Sequence, residues 1–340
     1  MTLATIFSDT VGSLFHRSSS PAVQTKREDE LELSAAPPDT RRLIRDGRYC
    51  TILSAENQIP FDDVSVQCAW RALTGKMALV PGGEVTLLCD AGVSSGGGME
   101  VATIRRDFVC ADTTYFDRHC VTNAEYQKFV DAGGYDRHEL WPPEVLPNVL
   151  QFVDATGCCG PKGWTNGKPP ADQLDHPVVG ICWYEASAYA IWAGKRLPST
   201  AEWQRAGVWS LREGDGNEPR YPWGNAFDPT KANLWSGSET TTVAVGEYSG
   251  GRTPNGVGQL IGNVWEWVDA QYLPETDGTV DVLIDHVMAE IRGGSFDTYF
   301  QSQATCQFRS GQPLHHRSSN VGFRCCVTAD HMPLPPSPEG

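Results

Sequence analysis

The sequence predicts an irregular α+β domain with short helices and small antiparallel sheets, not a regular sandwich or a doubly wound sheet. Two observations carry this. Only three helix starts are legible within the compact domain that opens near Met77. Long stretches rich in Gly and Pro, such as 217–229 and 249–258, separate short strand-like runs. Such a chain is long enough for one large domain or two ordinary ones, and 11 Trp supply bulky core material.

Residues 1–40 mix Ser, Pro, Arg and Glu with little periodicity. They bury too little apolar surface to offset chain entropy, so a flexible arm is expected that tethers the protein or contacts another protein. Residues 41–76 form an N-terminal extension, weakly structured or a small subdomain. The run Met77-Ala78-Leu79-Val80 followed by Pro81-Gly82-Gly83 reads as a strand and turn opening a domain over 77–328, with 329–340 as a tail. Thr122-Asn123-Ala124-Glu125 is a capping box leading into Tyr126, Phe129 and Val130 on one helical face, and Ser199-Thr200-Ala201-Glu202 is a second, leading into Trp203 and Ala206. Between them Tyr184 to Ala193 is an Ala-rich helix stopped by Gly194.

The 27 basic residues against 42 acidic ones give a net charge of -15, which opposes nucleic-acid phosphates and anionic membrane surfaces. Met1 to Phe15 carries Asp9 inside its apolar run with no basic residue before it, unlike a secretory signal, and no apolar run is long enough to span a membrane. Eleven cysteines, an odd number without a CxxC pair, point to reduced thiols and a cytoplasmic location.

Twelve short motifs occur in order from Val80-Pro81-Gly82-Gly83 through Ala193 to Pro198, Tyr221-Pro222-Trp223-Gly224, Gly262-Asn263-Val264-Trp265-Glu266-Trp267, Arg292-Gly293-Gly294-Ser295 and Gly322-Phe323-Arg324. Over about Met77 to Val327 they resemble the formylglycine-generating enzyme, or sulfatase-modifying factor, family, which implies a decorated C-type lectin fold. Most of the motif residues read as structural. Trp183, Trp203, Trp223, Trp235, Trp265 and Trp267 are expected as core or loop-anchoring aromatics, and Arg196 and Arg324 as partners of buried carboxylates or carbonyls.

The resemblance implies an oxidase whose two cysteine thiolates bind copper(I). Here the first position is Thr298 and the second falls at Gln301, and no cysteine occurs from Gly293 to Thr305, so copper is not expected. The iron-binding sulfoxide synthase branch is excluded because the first 75 residues hold only His16. Cys306 and Cys325 match positions that form disulfides in secreted relatives, but the partner positions are Ala190 and Gly207, which leaves them as small buried hydrophobes. A calcium ion carried over from the family would take carbonyls of Gly262 and Val264 and the side chain of Glu266; the alternative is that Glu266 is a satisfied core carboxylate.

With copper removed, the segment between the last two motifs resembles the variable region of ligand-binding proteins diversified by retroelements, which share the lectin-type fold. Its candidate contact residues are Phe296, Asp297, Thr298, Tyr299, Phe300, Ser302, Gln303, Leu314, His315, His316, Ser318, Ser319 and Asn320. Large amphipathic rings beside small hydroxyls suit an adaptable recognition surface. The plainer alternative makes Tyr299 and Phe300 core strand residues and His315-His316 a solvated loop, but adjacent residues of an extended segment cannot both face inward. Adjacent histidines diverge, so a metal pair there is not expected. The resulting expectation is a non-catalytic protein binding a protein or peptide ligand. The alternative is an oxidoreductase or sulfatase-modifying factor of the same family with altered chemistry.

Overall fold

The computed structural model describes residues 33–55, 61–91, 103–209, 218–235, 237, 239–272 and 287–333. Its helices start where capping chemistry allows. Helix α1 (Pro38–Asp46) opens with Pro at its first position and closes on Gly47, whose φ of 83° is left-handed. After α2 (Tyr49–Ile52), α3 (Asp63–Lys76) is capped by Asp62, which accepts from the Ser65 amide at 2.7 Å. Both predicted capping boxes form, at Thr122 for α4 (Asn123–Asp131) and at Ser199 for α7 (Thr200–Val208). A short α5 (Leu146–Val149) precedes α6 (Trp183–Trp192), and Gly194 (φ 71°) follows its end.

The strands form three small sheets. β1 (Met77–Val80), β4 (Thr114–Asp117) and β9 (Cys326–Thr328) pair in the order β1-β4-β9. β2 (Gly83–Ala91) and β3 (Thr103–Ala111) make an antiparallel hairpin. β5 (Trp265–Tyr272), β6 (Met288–Arg292), β7 (Arg309–Pro313) and β8 (Val321–Phe323) pair in the order β7-β6-β5-β8, with β5 and β8 parallel. Arg292 at the end of β6 and Gly322 near the start of β8 both pair with Glu266. The loop leaving β6 and the loop entering β8 therefore meet at one end of this sheet, which places the candidate segment.

Two apolar clusters lie against opposite faces of β5, as the period of two requires: Trp265 and Trp267 point into one and Val268 into the other. The adjacent Cys325 and Cys326 are split between the same two clusters. A third cluster joins α2 and α3 to Met77 and Val327. The extension is thus built onto the domain. Arg48 Nε donates to the Trp192 carbonyl at 2.8 Å and its guanidinium stacks over the Trp192 ring. A Cβ on Gly194 would stand 2.7 Å from the Thr51 amide, so only glycine admits this approach.

Together these elements form the irregular α+β, C-type lectin-like fold that the sequence predicts. Two details differ. Pro38–Asp46, expected partly in the flexible arm, is helical because Pro37-Pro38 and Asp39 suit a first turn and Arg45 the last; residues 1–32 lie outside the described residues. Trp235, expected to be buried or anchored, is 60% exposed.

Candidate functional site

The β6–β7 loop is held from below. Arg292 is fully buried and donates to Glu290 (2.9 Å), Gln204 (2.8 Å) and the Cys306 carbonyl (2.6 Å), with its guanidinium over the Trp203 ring. Gly293, at φ 94°, sits where a Cβ would meet the Leu260 carbonyl at 2.4 Å. The chain then makes a tight polar turn: Thr298 Oγ1 accepts from the Ser295 amide at 2.8 Å, and the Thr298 amide donates to the Ser295 carbonyl at 2.9 Å. Thr298 is consequently buried, which corrects its expected role as a contact residue. The Thr298 hydroxyl serves a backbone amide three residues back, a need internal to the loop.

Asp297 ties the two loops together. It accepts from Ser295 Oγ at 2.5 Å and from Asn320 Nδ2 at 3.0 and 3.1 Å, and Ser318 Oγ reaches Asn320 Oδ1 at 2.5 Å. The β7–β8 loop is fixed by Arg317, which pairs with the buried Glu185 at 2.8 Å and donates to the carbonyls of Val153 and Gly160. Burial pushes the Glu185 carboxyl up, opposed by Arg317 and Tyr135.

What this frame displays is aromatic. Tyr299 and Phe300 are 68% and 61% exposed, their rings edge to face at 5.2 Å, and Trp235 lies 6.4 Å from Tyr299. Trp235 was not recognisable from sequence as part of this surface, because it lies about 60 residues upstream within a motif that reads as core. His315 is exposed beside Tyr184 (5.0 Å between ring centres) and Phe152 (6.4 Å), so it stands on an aromatic shelf rather than in a bare loop. Ser302, His316 and Ser319 are exposed, while Phe296, Gln303, Ser318 and Asn320 are half-buried. Leu314 is also half-buried, with part of its side chain packed against the main core.

Glu266 is fully buried and already occupied. It accepts from Arg324 Nε and Nη2 at 2.7 and 2.6 Å, from Trp203 Nε1 at 2.7 Å and from the Cys120 thiol at 3.3 Å. The Gly262 carbonyl accepts from the Val264 amide at 2.9 Å. Glu266 thus has the partners of a satisfied core carboxylate. Burial alone would lower the Arg324 pKa; Glu266 and Cys120 raise it above its usual value instead. Among the described residues no group of three or more His, Cys, Asp or Glu is arranged to hold a metal ion.

Arg196 pairs with Glu202 at 2.6 Å, as expected of a motif arginine. Cys306 is buried against Gly207, with its Sγ 2.8 Å from where a Gly207 Cβ would be. No helix among the described residues is long and apolar enough to cross a membrane.

The chain matches the model of the sulfatase-modifying factor enzyme 1-like domain over residues 64–329. It is 31% identical over 296 residues to the formylglycine-generating enzyme of Bos taurus, covering 76% of this chain and 75% of that protein. It is 33% identical over 175 residues to the inactive C-alpha-formylglycine-generating enzyme 2 of Bos taurus, covering 48% of this chain and 54% of that one. Among solved structures it is similar to Treponema denticola variable protein 1, with a TM-score of 0.45 and 15% identity over 74% of this chain and 94% of that chain.

Proposed function

The chain belongs to the sulfatase-modifying factor enzyme 1-like family, and on that premise we propose that it is a non-catalytic binding protein whose ligand, a protein or peptide, docks on the loops flanking β7. One observation carries this reading. The loop that would have to present copper-binding thiolates holds no sulfur from Gly293 to Thr305, and instead it displays Tyr299 and Phe300 beside Trp235. Large rings exposed together on a rigid frame gain much on burial and lose little side-chain entropy, the pattern of binding hot spots. The buried Arg292 and Arg324 and the half-buried Arg317 keep that frame in place while exposed residues vary at little cost to folding. A relative named as inactive is consistent with loss of catalysis within the family.

The test is a peptide-display selection against the protein. Selected peptides should lose at least tenfold in affinity for the Trp235→Ala/Tyr299→Ala/Phe300→Ala variant, each truncated hot-spot ring costing about 1–2 kcal/mol or more. Selected peptides that bind the variant equally well would remove the proposed surface. The second reading, an oxidase with altered chemistry, draws on the identity to the formylglycine-generating enzyme over three quarters of the chain. It predicts an aldehyde when the protein is incubated with copper(I) and a Cys-containing sulfatase peptide; the binding reading predicts none.

A further inference from the structure

The arrangement and surroundings of the exposed rings bear on what their ligand carries. Trp235, Tyr299 and Phe300 do not form a flat platform: the Tyr299 and Phe300 rings stand at 90° to each other, and the Trp235 and Tyr299 rings at 63°. Ring faces turned in different directions suit a compact cation, which each face attracts through its quadrupole, better than a flat group that stacks on one face. All three side chains are more than half exposed, so those faces are open to a ligand.

Asp297 supplies the matching charge. It is exposed two residues before Tyr299, and the donors that orient its carboxylate, Ser295 Oγ and Asn320 Nδ2, are neutral. Residues 232–251, which carry Trp235, and 293–308, which carry the other two rings, contain no Lys or Arg and three carboxylates, Asp297, Glu239 and Glu247. Of the cations that bound these segments, Lys231 faces Asp228 at 3.7 Å, while Arg292 and Arg309 face the two oxygens of Glu290 at 2.9 and 3.6 Å. Arg252 donates to the Gly246 carbonyl. Across the site, Arg317 is paired with Glu185. Asp297 also joins the two loops through Asn320, so a ligand docked across both takes its carboxylate out of water. That is costly unless the ligand brings a cation.

Resting on the reading that a protein or peptide docks on the loops flanking β7, we propose that the ligand presents a Lys or Arg side chain to the corner formed by Trp235, Tyr299 and Phe300, with Asp297 as its counter-charge. The rings hold the aliphatic stem and attract the charged head. Asp297 makes the site selective for positive charge.

The experiment takes peptides obtained by display selection against the full chain that lose affinity for the Trp235→Ala/Tyr299→Ala/Phe300→Ala variant. Each is compared at pH 8 with a copy in which norleucine replaces Lys and citrulline replaces Arg, on the wild type and on Asp297→Asn. The ring-dependent peptides should carry Lys or Arg, and their uncharged copies should bind the wild type about tenfold more weakly or worse. Asp297→Asn should weaken the charged peptides by about threefold or more and leave the uncharged copies unchanged. A loop merely shifted by the substitution would weaken both copies equally, and that result would overturn the proposal. Ring-dependent peptides that lack Lys and Arg, or whose uncharged copies bind as tightly, would also overturn it while leaving the peptide-binding reading standing. Selected peptides that ignore the rings would remove that reading and this inference together.

Discussion

Gly207→Cys should create a disulfide with Cys306. Gly207 lies on α7, where its Cβ would stand 3.6 Å from the Cys306 Cβ and 2.8 Å from its Sγ. Disulfides place their Cβ atoms roughly 3.5–4.5 Å apart, so the bond needs little backbone movement. It would close a loop of about 100 residues, worth up to ~4.7 kcal/mol by chain entropy, and engineered bonds deliver less, so about 2–4 kcal/mol is expected. For a domain of this size that corresponds to a rise in Tm of roughly 5–15 °C. Reduced, the same variant should be less stable than wild type, since a Cβ 2.8 Å from sulfur is overpacked and overpacking costs about 1–3 kcal/mol. Burial pushes the Cys306 thiol up to about 12, leaving a thiolate fraction on the order of 10⁻⁴ at pH 8, so the bond should form during refolding in a glutathione buffer and hardly at all in the folded protein. Thiol counting, a peptide map under non-reducing conditions and melting with and without reductant check it. A free thiol at both positions after oxidative refolding, or an oxidised form melting no higher than the reduced one, would refute the placement of α7 against the β6–β7 loop.

Arg324→Met should destabilise the protein by about 3–5 kcal/mol in denaturant titration, because it leaves the Glu266 carboxylate buried without its cation; a change under 1 kcal/mol would mean that the Trp203 and Cys120 donors satisfy Glu266 without Arg324. Burial, with Arg324 and Arg252 nearby, should make His119 titrate near pH 4 by NMR in the folded protein, against about 6.5 unfolded. Since the unfolded chain then binds more protons between those values, its contribution to stability is full above pH 6.5 and lost as pH falls toward 4, and His119→Gln should flatten that part of the profile. Among the described cysteines, Cys110 and Cys158 are exposed and should react with a thiol reagent in the native state, whereas Cys50, Cys306, Cys325 and Cys326 should react only on unfolding; rapid labelling of the second group would contradict their burial.

Much was legible in the residues alone where the cause is local. The capping boxes at Thr122 and Ser199, the stop at Gly194 and the strand at Met77 depend on neighbours three or four positions away, and they form as read. The motif order from Val80 to Arg324 identified the family, and the missing cysteines between Gly293 and Thr305 are a fact of sequence. Contacts between distant segments were not legible. Trp235 and Thr298 are alike in being polar-tipped or aromatic motif residues, yet one is exposed beside Tyr299 and the other turned inward to the Ser295 amide. Glu266 has the chemistry of a calcium ligand or of an arginine partner, and the approach of Arg324, just after β8, and of Trp203 from α7 that gives it a cation and a donor is not visible in the sequence. Local propensity and motif order thus determined the fold family and the absent thiolates; burial, which is a sum over the whole chain's packing, decided which side chains are left to bind.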